Sequence, residues 1–234
     1  MTWVAGADGC KGGWLRACRE TASGELRFDV QARASELLRA APSPRVLCLD
    51  IPIGLPERGR RACDESAREM LGARRSSVFD APIRPALKAG TRAEASEITA
   101  RCDGRGVSTQ AWGLYRKIRE VDALLRESGE ARTRVREVHP EVCFSAWNGG
   151  APMKESKKTP AGRRQRLRLA EGWLGAGVLE RARAHVSRGD AADDDILDAV
   201  AALWTATRIV TGHARTLPPT PPVDATGLRM EIVY

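Results

Sequence analysis

Acidic residues at the ends of two apolar runs are the first candidates for chemistry in this sequence. Asp8 follows Trp3-Val4-Ala5-Gly6-Ala7, and Asp50 follows Val46-Leu47-Cys48-Leu49. A carboxylate at the end of a buried strand costs free energy unless it is paired or binds a metal. If the two strands are parallel neighbours, a divalent cation or a shared proton would relieve the repulsion between the carboxylates. The alternative is that each Asp accepts hydrogen bonds from turn amides, as Asp often does beside Gly and Pro.

A third acidic segment, Asp193-Asp194-Asp195-Ile196-Leu197-Asp198, opens a helical pattern. Carboxylates in a first turn are favoured by the helix dipole and can cap free amides, so at least one of the first three needs no functional explanation. Asp198 stands three residues after Asp195 and four after Asp194, a spacing at which like charges destabilise a helix unless a cation intervenes. Because small apolar residues follow, we expect this helix to pack closely on a sheet with its acidic turn at the strand ends.

Glu137 and Glu141 flank His139-Pro140 at the end of another apolar segment. Glu137 and His139 would share one face of a strand, whereas the direction of Glu141 depends on how Pro140 bends the chain. His139 is more often a packed or hydrogen-bonded side chain in such a place, although a histidine can shuttle protons near neutral pH. Both glutamates therefore stay open as site residues.

Several carboxylates without Cys or His ligands are typical of a hard-cation site, and Mg²⁺ or Mn²⁺ suit oxygen ligands. Two such ions stabilise the attacking and leaving oxygens in phosphodiester cleavage. The Gly-rich turn after Asp8 would let Lys11 approach a phosphate. Lys157 and Lys158 could track a phosphate backbone, and Arg75 and Ser77 lie in a loop that could cover the site. Such basic runs are more often solvated surface.

The surrounding pattern predicts an α/β domain with a mixed sheet, in which sites collect at strand carboxyl ends. Predicted strands cover Trp3 to Ala7, Trp14 to Cys18, Leu26 to Val30, Val46 to Leu49, Arg134 to Val138 and, as a last edge strand, Leu228 to Val233. Predicted helices cover Ala34 to Ala40, Cys63 to Leu71, Gln110 to Leu125, Arg163 to Leu174, Val178 to Val186 and Asp194 to Ile209. We expect one domain over 1–234, with about 57–130 as a helical and loop insertion covering one side of the core.

Composition limits the classes of protein. The 234 residues are 42% hydrophobic, with no apolar run long enough to span a membrane and no signal-peptide pattern. The six cysteines are scattered and form no C-x-x-C pair, which fits a reducing cytosol, so we expect a cytoplasmic protein. The net charge of +8 comes mostly from Arg and suits a polyanionic partner, although GC-rich codons would also produce an Arg excess.

The chain resembles the DUF429 family, which is usually described as predicted nucleases of ribonuclease H-like fold. The matching stretches are GADGCKGGW, LDIPIGLP, CDESAREMLGARRSSVFDAP, YRKIREVD, REVHPEVCF, SKKTPAGRRQR and DDDILDAVAALWTA. The resemblance implies a central mixed five-stranded sheet flanked by helices, with Asp8 ending the first strand and Asp50 on the fourth. A C-terminal helix would bring Asp195 and Asp198, with Asp194 as the alternative to Asp195.

These expectations combine into a metal-dependent nuclease that uses Mg²⁺ or Mn²⁺ and acts on nucleic acid. The expected metal ligands are Asp8, Asp50, Asp195 and Asp198, and the expected catalytic residues are these four with Glu141. The expected substrate-binding residues are Lys11, Lys157, Lys158, Arg75 and Ser77. Two alternatives remain: a phosphotransferase or nucleotide hydrolase related to the actin-like ATPases, and a nucleic-acid-binding module without catalysis, in which the carboxylates are structural.

Overall fold

A five-stranded mixed sheet lies at the centre of the protein. The structure is a computed structural model that describes residues 1–234. The strands of this sheet are β1 (Trp3–Cys10), β2 (Gly13–Glu20), β3 (Leu26–Gln31), β4 (Val46–Leu49) and β5 (Val135–Glu137). Their spatial order is β3-β2-β1-β4-β5. The mixed sheet that the sequence pattern predicts, and the five strands that the family resemblance implies, are therefore confirmed.

The strand directions bring three carboxyl ends to one edge of the sheet. Strands β1, β2 and β3 form an antiparallel meander, whereas β1, β4 and β5 are parallel. The register pairs Ala7 with Leu49 and Leu49 with Glu137. Asp8 and Asp50 each come one residue after this row, so their backbones are neighbours at the edge where parallel strands end.

Nine helices flank the sheet. They are α1 (Ala34–Arg39), α2 (Ala62–Leu71), α3 (Arg92–Asp103), α4 (Thr109–Glu127), α5 (Gly129–Arg134), α6 (Pro140–Trp147), α7 (Pro160–Leu174), α8 (Val178–Arg183) and α9 (Asp193–Val210), with 3₁₀ helices at Gly72–Ser77 and Arg84–Lys88. Because side chains alternate along a strand, the sheet contributes to two apolar clusters. One cluster contains α9, and the other contains α1 and α4.

Helix α9 lies unusually close to β1 because β1 carries a glycine at the crossing point. A Cβ atom on Gly6 would stand 2.0 Å from the backbone nitrogen of Leu203 and 2.4 Å from the carbonyl oxygen of Ala199. The small residues of α9 permit this approach, which the sequence analysis expected. The contact fixes the acidic start of α9 relative to the carboxyl end of β1.

Helix α4 forms a layer of the core on the opposite face of the sheet. Its buried residues Tyr115, Ile118, Val121 and Leu125 belong to the same apolar cluster as Ala5 and Ala7 of β1. The range 57–130, predicted as an insertion, thus contains this core helix as well as α2, α3 and both 3₁₀ helices.

The predicted edge strand over Leu228 to Val233 is wrong. Within this range Ile232–Val233 (β7) forms the one strand, and it pairs with Thr216–Leu217 (β6) in a separate two-stranded sheet, while Arg229 makes an isolated bridge to Val223. The preceding residues form a turn because the Asp224 carboxylate accepts hydrogen bonds from the backbone N–H groups of Thr226 and Leu228.

Other boundaries also differ from the sequence prediction, among them the end of β1, which runs through Asp8 to Cys10 instead of stopping at Ala7. Arg134 ends α5, so β5 begins one residue later than expected. Pro140 begins α6, where proline is favourable because the first helical N–H needs no partner within the helix. Glu141 therefore lies in the first turn of a helix. No helix of the chain is both long enough and apolar enough to cross a membrane.

Candidate functional site

An acidic cavity of about 560 Å³ lies at the sheet edge where β1, β4 and β5 end. We call it the acidic cavity. Eight carboxylate residues line it: Asp8, Asp50, Asp64, Glu137, Glu141, Asp194, Asp195 and Asp198. All five acidic residues predicted as catalytic thus line one cavity. They come from the ends of two strands and from the starts of α6 and α9.

Asp8 and Asp50 lack hydrogen-bond donors from the protein. Asp8 is only 8% exposed, and Asp50 is partly buried, yet neither side chain accepts a hydrogen bond from the chain. Burial and then the charges of Asp50 and Asp198 raise the pKa of Asp8 well above its usual value. Burial and then Asp198 raise the pKa of Asp50 to about 8. The turn-amide alternative for these two residues therefore has no support in their surroundings.

Asp198 is buried and forms an ion pair with Lys157, whose Nζ donates to Oδ2. Burial raises the pKa of Asp198 to about 6, and Lys157 opposes that rise. Burial alone would lower the pKa of Lys157, but Asp198, Asp8 and Asp50 together raise it above its usual value. Lys157 is therefore the cation that the structure supplies to three neighbouring carboxylates, and one ammonium cannot neutralise all three.

The other acidic residues at the start of α9 have different surroundings. Asp195 accepts a hydrogen bond from the backbone N–H of Ala192 at 2.8 Å and so caps the helix. Asp193 pairs with Arg183 at 2.5 Å. Asp194 accepts no hydrogen bond from the chain and lines the acidic cavity. The first turn thus contains capping and paired carboxylates, as the sequence indicated, together with one that faces the cavity without a partner.

Glu141 is held by arginine on one oxygen only. Arg166, itself buried, donates from Nη2 to Oε1 at 2.6 Å, and Arg74 stands 3.8 Å from the same oxygen. The second oxygen, Oε2, is buried and has no hydrogen-bond partner. Glu141 can therefore accept a hydrogen bond from a molecule in the cavity without leaving its arginine.

Glu137, the alternative to Glu141, is engaged in a buried ion network. Arg61 donates from Nη1 and Nη2 to the two Glu137 oxygens at 2.7 Å each, and it also pairs with Asp64 at 2.5 Å. The backbone N–H of Ile53 donates to Glu137 as well. These partners orient Glu137 for a structural role that ties β5 to the loop after β4.

His139 is the N-cap residue of α6 and lines the acidic cavity. Its Nε2 contacts the carbonyl oxygen of Ser77 at 3.2 Å, while its buried Nδ1 has no partner. Burial lowers the pKa of His139. A neutral His139 whose Nε2 donates to Ser77 would present Nδ1 as a free acceptor.

The predicted basic and hydroxyl residues divide into two groups. Lys157, Lys158 and Ser77 line the acidic cavity. Lys11 is exposed in the β1–β2 turn, and Arg75 is exposed and lines a different cavity. The turn itself packs against a loop, because the backbone N–H of Gly12 donates to the carbonyl oxygen of Asp190 at 2.9 Å.

Two cationic residues of the cavity were not singled out from the sequence, Lys117 and Arg61. Lys117 on α4 lies over the Trp14 ring at 4.5 Å, and its methylene groups pack beside Gly9. Burial lowers the pKa of Lys117. No local pattern marks this residue, because a lysine in a helix is usually solvated; only the approach of α4 to the end of β1 brings it to the site.

The acidic cavity offers the kind of ligand atoms that Mg²⁺ or Mn²⁺ requires, without a preformed cluster of them. No three His, Cys, Asp or Glu side chains stand in a preformed metal-ligand group. The chemistry of the donors nevertheless fits a hard cation, since Asp8 and Asp50 offer carboxylate oxygens without protein donors. Asp8, Asp50 and Asp198 together can carry more negative charge than the adjacent Lys157 ammonium neutralises, and this also favours a bound cation.

Comparison with known proteins identifies the family but not an activity. No curated protein and no solved structure shows significant similarity to the chain. The sequence profile described as a protein of unknown function, DUF429, matches residues 6–223. This range includes every residue of the acidic cavity except Ile232. The chain therefore belongs to the DUF429 family.

Proposed function

We propose that the protein is a metal-dependent nuclease that hydrolyses phosphodiester bonds in the acidic cavity. The strand order β3-β2-β1-β4-β5, with three antiparallel strands followed by two parallel ones, is consistent with a ribonuclease H-like fold. In α/β sheets, ligands bind beyond the carboxyl ends of the strands. The position of the cavity supports the same interpretation.

The observation that carries the proposal is the pair of donor-free carboxylates. Asp8 and Asp50 come from two parallel strands, and Asp198 joins them from α9, far away in the sequence. Buried carboxylates are normally paired, hydrogen bonded or bound to metal. The proposal gives these two residues the partner that the chain itself does not supply.

Asp8, Asp50 and Asp198 would hold Mg²⁺ or Mn²⁺, with Asp194 or Asp195 completing the set. Bound there, the metal would activate a water molecule and stabilise the charge that develops on the phosphate oxygens. Lys157, beside Asp198, and Lys158 would contact the phosphate in the same cavity, and the arginines around Glu141 would orient that carboxylate. The free oxygen of Glu141 is then placed to accept a proton.

The test is a cleavage assay on single-stranded and double-stranded DNA, RNA and a hybrid, in Mg²⁺, Mn²⁺ or EDTA. Asp8→Asn and Asp50→Asn keep the side-chain shape but remove the charge. We expect wild-type cleavage in metal, background cleavage in EDTA, and background cleavage for both variants. Glu97→Gln is the matched control, because Glu97 is exposed on α3 and lies outside the cavity.

The assay separates the competing functions. Cleavage that persists in EDTA and in Asp8→Asn would remove the proposal. Metal-dependent ATP hydrolysis without nucleic-acid cleavage would instead favour a nucleotide hydrolase. If Glu97→Gln also lost activity, removal of a carboxylate charge would act through folding and not through the cavity. Circular dichroism of each variant therefore accompanies the assay.

A further inference from the structure

A second cavity, of about 820 Å³, adjoins the acidic cavity. We call it the arginine cavity. Val78 and Phe79 line both cavities. The 3₁₀ helix just before them carries Arg74, which lines the acidic cavity, and Arg75, which lines the arginine cavity. One short segment therefore supplies a guanidinium group to each side, and a ligand that passes over Phe79 would contact both.

The arginine cavity is built around one carboxylate that three arginines share. Arg60, Arg68 and Arg105 contact Asp80 at 3.0, 2.6 and 2.9 Å. Asp103 also pairs with Arg105, at 2.6 Å. The network holds the guanidinium groups in place and, with three arginines and two aspartates, carries one net positive charge.

Arg75 adds to this charge because it is exposed and forms no ion pair. Two glutamates of α2, Glu65 and Glu69, also line the cavity. Both glutamates are exposed, as Arg60 and Arg75 are, so solvent and salt screen these four charges alike. The guanidinium group of Arg75, which no carboxylate pairs with, can bind a phosphate of a chain that lies along the cavity.

Two further features favour a nucleic acid over a simple anion. Phe79 is 44% exposed, which is unusual for an aromatic side chain in this protein. Tyr115 also lines the arginine cavity; it is 1% exposed, and its hydroxyl has no hydrogen-bond partner. An exposed ring offers a stacking surface for a base, and an unpaired buried hydroxyl offers a hydrogen bond to a phosphate or a base.

We propose that the arginine cavity binds single-stranded nucleic acid and that the strand passes over Phe79 into the acidic cavity. This inference rests on the proposed function, because it makes the acidic cavity the place of cleavage. A single strand is specified because Phe79 can stack only on a base that is unpaired and exposed. Arg75 binds a phosphate next to the stacked base, and the Tyr115 hydroxyl donates to the strand inside the cavity.

Binding is measured apart from cleavage, by fluorescence anisotropy of labelled single-stranded DNA, single-stranded RNA and duplex DNA of equal length. The protein carries Asp8→Asn, and EDTA is present, so no substrate is consumed. The test variants are Phe79→Ala, Arg75→Ala and Tyr115→Phe. The controls are Val223→Ala and Arg101→Ala, which change an exposed apolar residue and an exposed arginine outside both cavities.

The expected changes differ in kind among the variants. Phe79→Ala weakens single-strand binding roughly 5- to 100-fold, the range of base–aromatic stacking. Arg75→Ala lowers the slope of log affinity against log salt by about 0.7, the value for one phosphate contact with a single strand. Tyr115→Phe weakens binding roughly 2- to 10-fold, as expected for one lost hydrogen bond. The controls leave affinity and slope unchanged.

A small diester substrate separates this inference from the proposed function. Bis(p-nitrophenyl) phosphate is too short to reach the arginine cavity, so its metal-dependent hydrolysis by the wild type, compared with Asp8→Asn, reports on the acidic cavity alone. The controls Val223→Ala and Arg101→Ala, in a chain with native Asp8, should hydrolyse it at the wild-type rate. If the variants bind single strands as the controls do while metal-dependent cleavage persists, the inference fails and the nuclease stands. If cleavage is absent but the binding changes appear, the inferred binding site stands without the nuclease. Duplex binding as tight as single-strand binding, or no binding of either, overturns the inference.

Discussion

Gly6→Ala tests whether the contact between β1 and α9 positions the acidic cavity. The added Cβ would stand 2.0 Å from the Leu203 nitrogen, 2.4 Å from the Ala199 oxygen and 2.5 Å from the Ala202 carbonyl carbon. All three are backbone atoms, so no side-chain rotation can relieve the contact. The nearest of them must move by more than an ångström before the contact becomes ordinary. Helix α9 must therefore shift away from β1.

The expected cost follows from this displacement. Overpacking by one methyl group in a core typically destabilises a protein by about 1–3 kcal/mol. Gly6 should reach the upper end of that range, about 3 kcal/mol, because its neighbours are rigid and fully buried. The free energy of unfolding is measured by urea denaturation, and the proposed nuclease activity is assayed in the same preparation. Activity should fall even where the protein remains folded, because Asp198 moves relative to Asp8.

Gly172→Ala provides the matched control. Gly172 lies within α7, and a Cβ there would meet no atom within 4 Å. Replacing an exposed helical glycine by alanine should stabilise the protein by about 0.5–1 kcal/mol. If Gly6→Ala changed the unfolding free energy by less than about 0.5 kcal/mol and left activity intact, the close approach of α9 would not be what positions the site.

Two other changes test the electrostatics of the cavity. In metal-free buffer, Asp50→Asn should become increasingly stabilising relative to the wild type as the pH rises from about 4 to about 8. The reason is that a carboxyl group whose pKa is raised on folding lowers the free energy of unfolding of the wild type over that interval, whereas Asn does not titrate. Urea titrations across this range check the prediction, and a difference independent of pH would contradict the burial of an ionisable Asp50. Arg61→Met should destabilise the protein by about 3–5 kcal/mol, because it leaves Glu137 and Asp64 buried without their partner. If urea denaturation at neutral pH showed that the free energy of unfolding falls by less than about 1 kcal/mol, this ion network would not be structural.

The positions of Asp8 and Asp50 could be predicted because local sequence and topology agree there. Each follows an apolar run, and a crossover connection places strands such as β1 and β4 side by side in parallel. The acidic start of α9 could be expected from its capping pattern, and its close packing from the small residues that follow. These features depend on short stretches of sequence, and the folded protein therefore shows them as predicted.

The partners of the acidic residues could not be predicted in the same way. Glu137 and Glu141 are equivalent in sequence, yet Arg61 neutralises both oxygens of the first, whereas Arg166 leaves one oxygen of the second free. Arg166 lies on α7, and Arg61 is the N-cap residue of α2. Their identity depends on how distant helices pack, and no periodicity in the chain encodes that arrangement.

The contrast among carboxylates in one cavity is the strongest argument for function. The fold provides Glu137 with a bidentate arginine and provides Asp195 with a backbone N–H, so it can satisfy acidic groups at this edge of the sheet. It provides Asp8 and Asp50 with neither, although burial and repulsion by neighbouring carboxylates raise the pKa of both. Carboxylates left without partners in this way usually mark a functional site, where the rest of the fold supplies the stability. A cation that binds these two carboxylates would remove the repulsion, and binding of Mg²⁺ or Mn²⁺ should therefore raise the melting temperature of the wild type more than that of Asp8→Asn.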